Sequence, residues 1–98
     1  MTISKTRNEN ELLLTINGRI DSTSSDAFME YLKQNFTQDV QKLTLDFEEV
    51  DFISSKGLRV LVSVYKTLDG RQIEIINANS AVREVFRLSS LLNIFNVR

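Results

Sequence analysis

The chain opens on a weak strand pattern over residues 3–7 and a stronger one over residues 11–17. In the second, ELLLTIN, three leucines precede a Thr-Ile pair of high strand preference. Polar Asn8-Glu9-Asn10 between them predicts a tight turn, and so a hairpin. Gly18 is expected to stop the second strand, with Gly18-Arg19-Ile20-Asp21 as a loop into the polar run Ser22-Thr23-Ser24-Ser25. A helix is predicted to start in that run, with Thr23 and Asp26 spaced as a capping box. Ala27, Phe28, Tyr31, Leu32 and Phe36 recur at helical spacing and form its apolar stripe, while Glu30, Lys33 and Gln34 take the solvated side.

Residues 42–47, KLTLDF, alternate with Leu43, Leu45 and Phe47 on one side, and Glu48-Glu49 reads as an acidic turn. Residues 58–68 carry two periodicities. Val60, Val62 and Val64 alternate as in a strand, whereas Leu58, Leu61, Val62, Tyr65 and Leu68 fit a helix face. Length, the serines in front and Gly70 behind favour a helix buried on most sides. A short strand, QIEII, follows. Asn77 or Asn79 is placed to cap a last helix with Ala81, Val82, Val85, Phe86 and Ser89 inward, and residues 91–97 close as a turn and a brief strand. The order β-β-α-β-α-β-α, with right-handed crossovers, predicts a small mixed α/β sheet with helices packed mainly on one face. An edge strand of that sheet offers a pairing surface for a weak homodimer.

Composition narrows the chemistry. The 98 residues, 42% hydrophobic and 26% charged, fit one soluble domain spanning 1–98. Twelve basic residues against thirteen acidic give a net charge of -1, which argues against direct nucleic-acid binding and against a polybasic membrane anchor. Cysteine and histidine are both absent, which excludes disulfides, thiol nucleophiles, zinc fingers and a Ser-His-Asp triad within the chain. No apolar run is long enough to cross a bilayer, and no hydrophobic signal core stands at the start. A cytoplasmic location is the expectation.

The chemically suggestive segment lies between Phe47 and Leu58. Ser54 and Ser55 stand where a buried helix begins. One serine can serve as N-cap while Gly57 permits close packing. Alternatively, one is phosphorylated there, where helix N–H groups and the dipole favour an anion. Asp46 is suited to accept backbone hydrogen bonds from the following loop. Asp21 is suited either to an Asx turn or to a charged rim, and Glu48, Glu49 and Asp51 form an acidic stretch before the serines. Arg83 and Arg87 share a helix face and are expected to be solvent-exposed.

The element order, the Gly18-Arg19-Ile20-Asp21 turn and the block LTLDFEEVDFISSKGLRVL together resemble the STAS domain family, and within it the bacterial anti-sigma factor antagonists. The resemblance spans about residues 3–95. It implies a non-enzymatic binding protein that engages an anti-sigma factor serine kinase, loses affinity when phosphorylated, and is restored by a phosphatase. The phosphoryl donor would be ATP held by the kinase, so no cofactor is expected in this chain. Matched backwards from Gly57-Leu58, Ser55 falls on the phosphoacceptor, Lys56 replaces a hydroxyl residue and Ser54 replaces an aspartate. Ser54 is the alternative acceptor. The implied partner-binding residues are Asp21, Asp51, Ser54, Ser55, Lys56, Gly57 and Arg59. Two other readings stay open: a STAS scaffold that assembles without phosphorylation, and a magnesium enzyme built on Asp46, Asp21 or Asp51.

Overall fold

Glu9, at φ 57°, turns the chain between β1 (Thr2–Asn8) and β2 (Glu11–Ile20), which pair antiparallel from Thr2↔Asn17 to Asn8↔Glu11. The computed structural model describes residues 1–98, continuing through α1 (Ser25–Asn35), β3 (Lys42–Ile53), α2 (Ser55–Tyr65), β4 (Gln72–Ile76) and α3 (Ser80–Leu88). The sheet order is β1-β2-β3-β4, with β2, β3 and β4 mutually parallel. The brief strand expected at the end of the chain is reduced to a single bridge: Val97 pairs with Ile75 in parallel, and the Arg98 N–H donates to the Ile75 carbonyl at 2.9 Å. This is the mixed α/β sheet anticipated from the sequence.

Two strands run further than their local pattern suggested. β2 does not stop at Gly18; it passes through that residue at φ 113° and buries Leu12, Leu14, Ile16 and Ile20 on one face. β3 does not turn at Glu48-Glu49. It continues to Ile53, and its buried residues are Leu43, Leu45, Phe47, Val50 and Ile53. The interval of two becomes an interval of three because β3 carries an extra residue twice. Thr15 pairs with Asp46 but Asn17 with Glu49; Gly18 pairs with Val50 but Arg19 with Phe52. Each such β-bulge leaves an additional residue outside the ladder and bends the strand. The acidic pair therefore sits exposed within a strand rather than in a turn.

The helices cover the face to which these residues point. α1 buries Phe28 and Leu32, α2 buries Leu58, Val60, Leu61 and Val64, and α3 buries Val82 and Phe86. Phe86 joins Phe47 and Phe95 with ring centroids 6.4 and 6.0 Å apart. Fully burying one such side chain stabilises the fold by about 1.5–3 kcal/mol. The predicted stripes need correction at their margins. Ala27, Ala81 and Ser89 are exposed, Tyr65 is exposed at the end of α2, and Leu68 is buried just beyond that helix. Asn79 rather than Asn77 caps α3, accepting from the Val82 N–H at 2.8 Å. The opposite face of the sheet carries half-buried Leu13, Thr15, Thr44, Asp46, Glu74 and Ile76.

Candidate interaction and phosphoacceptor site

At the C-terminal ends of β2 and β3, the Ser54 N–H donates to the Ile20 carbonyl at 2.8 Å, joining the two strand ends. Ser54 is extended (φ -87°, ψ 170°), and its Oγ accepts from the Gly57 N–H at 3.1 Å, making it the N-cap of α2. Its hydroxyl thus satisfies one of the donors that a helix start leaves unpaired. Ser55, the first helical residue, is exposed and makes no side-chain hydrogen bond within the chain. Gly57 is buried. A Cβ there would stand 2.8 Å from Ile20 Cγ2, 2.9 Å from Ile53 Cγ1 and 3.1 Å from the Ile20 carbonyl oxygen.

Asp21 organises the adjoining β2–α1 turn. Its Oδ1 accepts from the Thr23 and Ser24 N–H groups, both at 3.0 Å, while Ser24 Oγ accepts from the Asp21 N–H. The capping box expected of Thr23 and Asp26 is absent: Asp21 accepts from the Thr23 N–H that Asp26 would have used, and the helix starts one residue later, with Ser24 at the N-cap position. The Ser24 N–H bond is the main reason the Asp21 carboxyl lies below its usual pKa; desolvation, the next largest effect, opposes it, and the Ser24 hydroxyl, the Thr23 N–H and Arg19 add to the lowering. Asp26 is drawn instead to Lys56, whose Nζ lies 3.1 Å from its Oδ1 and donates to the Ser22 carbonyl at 3.4 Å. Lys56 therefore straps α2 to α1 and the preceding turn.

The sequence had not indicated two further neighbours. Arg19 and Phe52 are register partners, and the Arg19 guanidinium lies 4.5 Å from the centroid of the exposed Phe52 ring. Their meeting depends on the second bulge of β3, and a sequence pattern that ends the strand at Phe47 cannot bring them together. Asp51 is exposed in that bulged stretch, and Arg59 is exposed one helical turn beyond Ser55. Asp46 is engaged elsewhere: its Oδ1 accepts from the Glu48 N–H at 3.0 Å and from Asn77 Nδ2 at 3.1 Å. No three carboxylates gather in the molecule as a shared set of metal ligands.

The surface hollows lie away from this region. The largest, about 380 Å³, is on the open sheet face beside Leu13 and Ile76, and none is lined by Asp21, Ser54, Ser55 or Arg59. A small-molecule site is ordinarily concave. The two serines differ in their hydroxyls, one committed to the fold as the N-cap of α2 and one exposed.

Residues 2–98 match the STAS domain family. BtrV of Bordetella bronchiseptica, whose name describes an anti-sigma factor antagonist, is 30% identical over 99 residues, covering 99% of this chain and 85% of BtrV. The crystal structure of an anti-sigma factor antagonist from Mycobacterium paratuberculosis superposes with a TM-score of 0.89 at 21% identity, over 98% of this chain and 83% of that one. SpoIIAA, the Bacillus cell fate determinant solved in its phosphorylated form, gives a TM-score of 0.76 at 16% identity, over 99% of this chain and 89% of that one.

Proposed function

Because this chain belongs to the STAS domain family, and to its anti-sigma factor antagonist group, we propose that it binds an anti-sigma factor that is also a serine kinase and that phosphorylation of Ser55 weakens the complex. The observation that carries this reading is the division of labour between the serines: Ser54 Oγ caps α2, while Ser55 is exposed and free. The existence of SpoIIAA in a phosphorylated form supports it by likeness.

In the reaction, Ser55 Oγ forms a bond to the γ-phosphorus of ATP held by the kinase, and the bond from that phosphorus to the β,γ-bridging oxygen breaks. ADP leaves, and the hydroxyl proton passes to a base of the kinase. The base comes from the partner, since no group of this protein accepts a hydrogen bond from the exposed Ser55 hydroxyl. The product carries about -1.5 to -2 additional charge on the rim, enough to oppose a complementary surface by repulsion and desolvation. A phosphatase restores binding by hydrolysing the phosphoserine. No helix is long and apolar enough to cross a membrane; action in the cytoplasm belongs to the same proposal.

Intact-mass and site-localising mass spectrometry on the protein purified from its host tests the assignment. Phosphate on Ser55 and none on Ser54 is expected. Phosphate on Ser54 alone would overturn the division of labour between the serines. Its complete absence across growth and stress conditions would leave an unphosphorylated STAS scaffold as the reading.

A further inference from the structure

Two cations stand close in sequence to Ser55, and the structure gives them different tasks. Lys56 is the nearer along the chain, but adjacent helical residues are about 100° apart round the axis. Its ammonium is already held between Asp26 Oδ1 and the Ser22 carbonyl. Arg59 is four residues on, where side chains stand one above the other with Cβ atoms about 5–6 Å apart. It is exposed, and none of the ion pairs of the molecule involves it.

We infer that Arg59 is the cation that receives the Ser55 phosphate, while Lys56 remains strapped to Asp26. This rests on Ser55 being the acceptor. A guanidinium presents a planar fork of donors that matches two phosphate oxygens, which an ammonium does not. Arg59 reaches Ser55 along the helix surface with no change of backbone. Phosphorylation then acts twice on the rim: it adds an anion and withdraws the one cation of α2 that has no internal partner. Lys56 keeps the β2–α1 turn in place in both states.

The test uses the full chain with phosphoserine placed at position 55 during translation, so that no kinase is needed. Phosphorus NMR follows the second ionisation of the phosphate, ordinarily near pH 6. Its midpoint should lie about 0.15–0.4 pH unit lower in the otherwise unaltered chain than in Arg59→Gln, the shift expected of an exposed i,i+4 ion pair. Arg59→Lys should retain part of that shift, and Lys56→Gln should leave the midpoint where it was. Asp21 and Asp51 are present in every variant, so their repulsion cancels in the comparison. Circular dichroism of the unphosphorylated variants checks that each is folded. Equal midpoints with and without Arg59, or a shift on Lys56→Gln as large as that on Arg59→Gln, would overturn the assignment. If Ser55 is not the natural acceptor, the mass spectrum of the host protein reveals it and this titration is unaffected.

Discussion

Gly57→Ala sets local preference directly against packing. Gly57 has no positive φ to protect, and it lies in the first turn of α2, where alanine is the better helix former by up to about 1 kcal/mol. On helix propensity alone, the substitution should stabilise. The tertiary contacts predict the reverse. The new methyl would meet Ile20 Cγ2 at 2.8 Å, Ile53 Cγ1 at 2.9 Å and the Ile20 carbonyl oxygen at 3.1 Å. Neither isoleucine can readily move aside, since Ile20 is 0% and Ile53 2% exposed and both methyl-bearing branches sit next to the backbone. Relief must come from displacing the start of α2. That strains the Ser54 N–H bond to Ile20 and the Gly57 N–H bond to Ser54 Oγ. Overpacking of this kind costs about 1–3 kcal/mol. Two contacts under 3.0 Å place this site in the upper part of that range, about 2–3 kcal/mol, so that set against the propensity gain the net loss is about 1–2 kcal/mol. For a domain of this size that lowers Tm by roughly 5–15 °C. Urea unfolding followed by far-ultraviolet circular dichroism, with the m-value unchanged, measures it directly. A midpoint equal to or above that of the unaltered protein would refute the close-packing explanation for Gly57.

Ser54→Ala and Asn79→Ala each remove a side-chain acceptor at a helix start and should cost about 0.5–2 kcal/mol in the same unfolding assay, whereas Ser55→Ala should be nearly neutral. Ser55→Asp should leave stability unchanged or slightly raised, since an anion at a helix N-terminus is favourable, yet weaken partner binding on the order of tenfold by calorimetry. Unaltered affinity in a folded Ser55→Asp protein would count against the electrostatic switch. The Asp39 carboxyl is held down to about 2 by the Thr37 hydroxyl and then by Arg7. Its unfolded value is near 3.9, so the stability it contributes is present above that pH and drains away as pH falls towards 2. Carbon-detected titration should place Asp39 near 2, and Asp39→Asn should flatten that part of the acid-unfolding profile.

The hairpin, the order of strands and helices, and the role of Asp46 were legible because each rests on residues a few positions apart. The leucines of β2 alternate with the pleat, the Asn8-Glu9-Asn10 turn follows local backbone preference, and Asp46 accepts from Glu48 two residues on. The serine-rich start of α2 was readable on the same basis, although the sequence left Ser54 and Ser55 as alternatives. The backbone geometry separates them, one as an N-cap and one as an exposed helical residue.

What one-dimensional pattern could not supply was the length and bend of the central strand. Pairing with β2 and the core contacts of Val50 and Ile53 keep β3 extended across two bulges, overriding the turn preference of Glu48-Glu49. Those bulges determine that Phe52 meets Arg19 and where α2 begins relative to Ile20. Lys56 likewise acquires Asp26, 30 residues earlier, only after α1 and α2 pack side by side. Periodicity and capping chemistry act over one or two turns of chain and were written in the sequence itself. Register, close approach and the choice of ionic partner depend on surfaces brought together by folding, and only the tertiary structure decided them.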